Sequence, residues 1–135
     1  MAEGVLTLRS PADDINVVHA YIGRVWAEHD DLDMMDKLRF ETALIELAAN
    51  VIQHADDGNG IVADISIEIT GDSIRGTISD SSPAGMVDLA MRDMPDELAE
   101  SGRGIAFIQR LVDVFHYERR DEENLWVIQK RRAKG

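Results

Sequence analysis

Residues 61–80, IVADISIEITGDSIRGTISD, constrain the fold more than any other stretch of the chain. Ile61, Ala63, Ile65, Ile67 and Ile69 alternate with residues that are mostly polar, and Ile74, Gly76 and Ile78 repeat the pattern after Gly71-Asp72. Period-two alternation sends one set of side chains to one face, so each segment reads as a half-buried strand. Gly71-Asp72 suits a two-residue hairpin turn, which makes the two strands antiparallel neighbours. A hairpin with an apolar face is not stable alone in water and needs a second layer over that face. Asp80 shares the parity of Ile74 and Ile78, so it points toward the covered side at the strand's end. A carboxylate there requires a partner or a ligand.

Three helices are available as the cover. Leu44, Leu47, Ala48, Val51, Ile52 and Ala55 form an apolar stripe on a helix spanning roughly 33–55. Asp56-Asp57-Gly58-Asn59-Gly60 ends it with a strong turn signal. Upstream, Ser10 reads as the cap of a helix opening on Pro11, with Asp13 and Asp14 in its first turn. Ile15, Val18, Ile22, Val25 and Trp26 are its packing face. The third opens at the glycine-rich GRGIAFIQRLVD and packs through Ile105, Ile108, Leu111 and Val112. Residues 4–9 (GVLTLR) read as a short strand, and VFHYERR and LWVIQK read as a hairpin around a DEEN turn. The class is therefore α+β, a two-layer sandwich whose mixed, mainly antiparallel sheet carries helices on one face. Residues 1–135 form one domain. The weakly patterned segment 81–101 reads as a functional loop or lid.

Composition narrows the function. Hydrophobic content of 44% and charged content of 30% belong to a folded chain rather than a disordered one. The absence of cysteine excludes disulfides and thiolate metal sites and points to a reducing cytoplasm. No apolar run approaches the roughly 20 residues of a membrane helix, and no signal-peptide pattern opens the chain. With 26 acidic residues against 14 basic ones, the net charge of −12 argues against direct nucleic-acid binding. It suits solubility, or docking to a basic protein partner. Lys130, Arg131, Arg132 and Lys134 read as a solvated tail closing the last strand. His19, His29 and His116 have no metal-ligand spacing.

Three polar features remain: Glu46, Asn50 and His54 at four-residue intervals on a helix, Asp80 at a strand end, and Gly102-Arg103-Gly104 opening a helix. Singly, each has an ordinary structural explanation. Together they suit a nucleotide. A glycine-rich turn lets backbone N–H groups reach phosphate oxygens, and the following helix adds its positive N-terminal end. Arg103 supplies charge. Phosphates in such a site bring Mg²⁺, for which the Asn50 amide oxygen is a suitable ligand. Glu46, one turn away, can take or orient the proton of an attacking hydroxyl. Asp80 can accept from the exocyclic amine of adenine.

This order of motifs resembles the Bergerat-fold ATPases, and most closely their small anti-sigma-factor serine kinases. IELAANVIQHA is similar to their N-box, Asp80 with the SSPAGMVD that follows it to their first glycine box, and SGRGIAFIQRLVD to their second. The likeness spans nearly the whole chain as one histidine-kinase-like ATPase domain. It implies Glu46 as general base, Asn50 as Mg²⁺ ligand, Asp80 as adenine reader, and Gly102, Arg103 and Gly104 along the ATP phosphates. His54 matches a subfamily histidine that either contacts nucleotide or makes a structural hydrogen bond. The resemblance also implies a STAS-type antagonist as protein substrate, a sigma factor or similar regulator as second partner, and homodimers. One departure stands out. The first box normally reads Asp-x-Gly and here reads Asp80-Ser81-Ser82, where serine takes positive φ less easily than glycine. The alternative is therefore a non-catalytic nucleotide-binding switch. A detached histidine-kinase catalytic domain is disfavoured, since no dimerisation helix with a phosphoacceptor histidine is recognisable.

Overall fold

The computed structural model describes residues 2–10, 15–55, 61–80, 107–120 and 122–133. Strands β1 (Ala2–Ser10), β2 (Ile61–Ile69), β3 (Ser73–Asp80), β4 (Val114–Arg120) and β5 (Glu123–Arg131) form one sheet in the order β1-β2-β3-β5-β4. Every pairing among them is antiparallel. Helices α1 (Ile15–Ala27) and α2 (Met34–Ala55) pack on one face, as the α+β reading requires. Ser10, read as a helix cap, is the last residue of β1 and pairs with Ile61. The expected helix start at 11–14 and the lid segment 81–101 lie outside the described residues.

The alternation in 61–80 sets the register. Ala63, Ile65, Ile67 and Ile69 stand opposite Asp80, Ile78, Gly76 and Ile74. On the other side of β3, the same residues from Asp80 back to Ile74 face Asn124, Trp126, Ile128 and Lys130. These rows form the covered face, and their isoleucines are buried or nearly so. Burying each large aliphatic side chain contributes about 1.5–3 kcal/mol relative to leaving it exposed.

α2 supplies the facing stripe. Asp33 caps it, its carboxylate accepting from the Asp36 amide at 3.1 Å. Phe40, Ala43, Leu44, Leu47, Ala48 and Val51 are all buried. Gly76 lets the helix sit close to the sheet, because a Cβ there would lie 2.9 Å from Phe40 Cζ and 3.4 Å from Leu44 Cδ1. α1 is tied to α2 where Trp26 Nε1 donates to Glu41 Oε1 at 2.9 Å. At β1, the register slips between Ala2 and Val5, with Gly4 at a φ of 76°. Tyr21 of α1 bridges that bulge. Its hydroxyl donates to the Gly4 carbonyl at 3.1 Å and accepts from the Ile67 amide at 3.0 Å.

Two expectations at the C-terminus are corrected. The DEEN segment is not all turn: β5 already begins at Glu123, which places Asn124 inside the sheet opposite Asp80. The basic cluster is not simply a solvated tail. Lys130 Nζ lies 3.4 Å from Asp36 Oδ1, and Arg132 Nη2 lies 3.1 Å from Asp31 Oδ2. The Ala133 amide also donates to Asp36 at 2.6 Å. These contacts fasten the end of β5 to the start of α2. Among the described residues, no helix is long and apolar enough to cross a membrane.

Candidate nucleotide site

The direction of α2 decides what meets what. Asp36 sits beside Lys130, the register partner of Ile74, and Phe40 lies over Gly76. The helix therefore runs the same way as β3. From Asp36 to Asn50 it rises about 21 Å at 1.5 Å per residue, while β3 advances about 20 Å from Ile74 to Asp80. Asn50 and Asp80 thus arrive at the same end of the two layers. The sequence separates them by thirty positions, and the fold reunites them.

Glu46 and Asn50 occupy a flank of α2. At about 100° per residue, Glu41 lies roughly 120° to one side of Leu47, while Asn50 and Glu46 lie about 60° and 100° to the other. Glu41 faces α1, so the Glu46/Asn50 flank faces away from it. This is not a solvated face. Asn50 is only 8% exposed, and Glu46 is half-buried. Among the described residues, no hydrogen bond serves the Asn50 side chain and no ion pair or hydrogen bond serves Glu46. Buried amides are nearly always hydrogen-bonded, and leaving one unmade costs about 1–3 kcal/mol. Among the described residues, the Asn50 amide is therefore kept dry without a partner.

Asp80 differs in that its carboxylate is already gripped. It is 2% exposed, and Asn124 Nδ2 donates to Oδ1 at 3.0 Å while Trp126 Nε1 donates to Oδ2 at 3.3 Å. Asn124 is itself fully buried. Its Oδ1 accepts from the Tyr117 hydroxyl at 2.6 Å and from Arg119 Nη1 at 3.0 Å. Tyr117 packs tilted against Trp126 with ring centroids 4.6 Å apart, and Phe115 meets the same indole edge-on at 6.1 Å. The two donors therefore fix the carboxylate's orientation, and the indole that supplies one of them is itself packed against Tyr117 and Phe115.

Asn124 escapes the sequence reading as a site residue because DEEN looks like a turn. Its parity with Trp126 and Ile128 is the signal that could have found it. Of the remaining candidates, Gly102, Arg103 and Gly104 lie outside the described residues, as does the His54 side chain. The chain is described again from 107, where a helical turn buries Ile108 completely before β4 begins.

A two-layer sandwich with a helix-borne Glu/Asn pair and a strand-end Asp at one end defines a class, the Bergerat ATP-binding fold. Sequence comparison assigns the family. The profile of the histidine kinase-like ATPase domain matches residues 10–130, and the chain belongs to that family. Among solved structures, it is similar to the catalytic domain of histidine kinase ThkA in a nucleotide-free form. The TM-score is 0.52 at 13% identity, covering 95% of this chain and 97% of that one, a likeness that concerns the fold. No curated protein matches the chain in sequence. ATP binding is the property expected of such a domain.

Proposed function

We propose that the protein is an ATP-dependent serine/threonine kinase of the anti-sigma-factor type, acting in the cytoplasm. It phosphorylates a serine or threonine on a STAS-type antagonist and sequesters a sigma factor or similar regulator. The observation that carries the nucleotide part is the buried amide of Asn50, which no described residue satisfies, brought to the same end as Asp80. The subfamily part is supported by the likeness of IELAANVIQHA and SGRGIAFIQRLVD to the boxes of those kinases.

The donor set fits Mg²⁺, a hard cation that takes few protein oxygens and keeps its waters. Asn50 offers a neutral amide oxygen that nothing else in the described structure uses. When bound with ATP, the metal neutralises charge on the phosphate oxygens. The chain's own groups do the rest. Asp80 accepts from the adenine amine and so sets the register of the nucleotide. Glu46, one turn before Asn50, takes the proton of the attacking hydroxyl. The acidic surface, at a net charge of −12, favours basic faces on its protein partners.

A second reading is a partner switch that binds nucleotide without transferring phosphate. Ser82 in place of glycine in the first box favours it, because the backbone there has less freedom to approach the base. Mixing the protein with labelled Mg-ATP and candidate STAS antagonists tests the two readings. The kinase reading expects label on the antagonist. An antagonist that binds stably yet never acquires label supports the switch.

A further inference from the structure

We propose that Asn124 is a positioning residue that sets the base selectivity of the site, by holding the Asp80 carboxylate as an acceptor facing the exocyclic amine of adenine. The inference rests on the nucleotide reading above.

The chemistry of its neighbours gives the Asn124 amide one orientation. Arg119 has only donors to offer, so the amide atom 3.0 Å from its Nη1 must be the oxygen. A carboxylate only accepts, so the atom 3.0 Å from Asp80 Oδ1 must be the NH₂. The Tyr117 hydroxyl, 2.6 Å from the same oxygen, agrees with both. Asn124 therefore cannot turn over without placing donor against donor and acceptor against acceptor. Complete burial removes water as a substitute partner. With Trp126 Nε1 on the second oxygen, the Asp80 carboxylate is held at both ends of its plane.

Orientation matters because purines differ at one edge. Adenine carries an amine donor at position 6, whereas hypoxanthine carries a carbonyl acceptor there. A fixed carboxylate binds the first and repels the second. A carboxylate free to rotate discriminates less. A purely structural Asn124 would affect both bases alike.

The test measures dissociation constants for Mg-ADP and Mg-IDP, with urea unfolding as a control for folding. Wild type is expected to prefer ADP by about tenfold or more, the scale of a hydrogen bond to a charged group. Asn124→Ala should weaken ADP binding by about tenfold and leave IDP nearly unchanged, so that the preference collapses. Tyr117→Phe keeps the ring packing and removes the hydroxyl that donates to the amide oxygen. It should lower the ADP/IDP ratio in the same direction by about two- to tenfold. Loss of ADP and IDP affinity in equal proportion, or an unchanged ratio in a folded Asn124→Ala or Tyr117→Phe protein, overturns the positioning role alone. A wild type that binds neither nucleotide overturns the nucleotide reading and this inference with it.

Discussion

Asp36 and Asp80 are both nearly inaccessible, at 4% and 2% exposure, and they mark opposite ends of the same two layers. Asp36 is held by a lysine and a backbone amide that arrive from the end of β5. Asp80 is held by an asparagine amide and an indole N–H from the start of that strand. A lysine partner offsets a carboxylate's charge and makes a cross-link. Neutral donors orient a carboxylate. Around Asp36 the polar groups are mutually satisfied, with Asp113 Oδ2 also 3.8 Å from Lys130 and bonded to the Arg131 amide. Around Asp80 lies a demand that no described residue meets, in the dry amide of Asn50 and the half-buried carboxylate of Glu46. Burial of an aspartate therefore does not mark a site. The kind of donor that holds it, and what its neighbours lack, does.

The largest effect expected from breaking this contrast belongs to Glu46. Glu46→Gln should reduce phosphoryl transfer to a bound antagonist by about 10²–10⁴-fold, with nucleotide affinity and unfolding midpoint unchanged. Labelled-ATP transfer and equilibrium unfolding on the same preparation check it. At the other end, Asp36→Ala takes from Lys130 its nearer carboxylate, leaving Asp113 at 3.8 Å, and removes the acceptor of the Ala133 amide. Breaking a buried pair costs about 3–5 kcal/mol, and the partial exposure of Lys130 with its remaining contact to Asp113 places this one at or below the lower end. Chemical denaturation should register that loss, while nucleotide affinity stays within about twofold because the two sites stand at opposite ends of the layers.

Between the ends, Gly76→Ala pushes a methyl against Phe40 and should destabilise the fold by about 1–3 kcal/mol. Because Gly76 seats α2 on β3, the same change should shift Asn50 relative to Asp80 and weaken nucleotide binding, an outcome Asp36→Ala does not share. The smallest effect belongs to Asp31. The hydrogen bond from Arg132 lowers its pKa below the ordinary carboxylate value. A depressed folded pKa contributes stability above the unfolded value, and that contribution disappears as pH falls through the folded one. Arg132→Ala should return the Asp31 titration, followed by NMR of its carboxyl carbon, toward the ordinary range. The contact is on the surface, and neutral-pH stability should barely move.

Much of the architecture is legible in the sequence because it depends on local periodicity. The alternation in 61–80 specifies two strands, their turn and the inward parity of Asp80, and the stripe from Leu44 to Val51 specifies the covering helix. What escapes is what long-range pairing decides. Arg132 reaches Asp31 across 101 positions, and no local pattern distinguishes that arginine from a solvated one. The bulge at Gly4 is completed by Tyr21, which local sequence reads only as a helix residue. Asn124 is hidden because asparagine after acidic residues favours turns. Its parity with Trp126 and Ile128 counts only once β5 is known to begin at Glu123, and the β3–β5 register then sets it opposite Asp80. Asn50 is legible in type and spacing, but its burial depends on the packing of α2.

The central claim is that the Asp80 end binds Mg-ATP and the Asp36 end only holds the layers together. Titrating Mg-ATP into wild type, Asp80→Asn and Asp36→Ala, each confirmed folded, tests it most directly. Saturable binding by wild type and Asp36→Ala is expected, with Asp80→Asn weaker by about tenfold or more, the scale of a hydrogen bond to a charged group. Equal affinity in wild type and Asp80→Asn, or no binding by wild type at millimolar Mg-ATP, would contradict it.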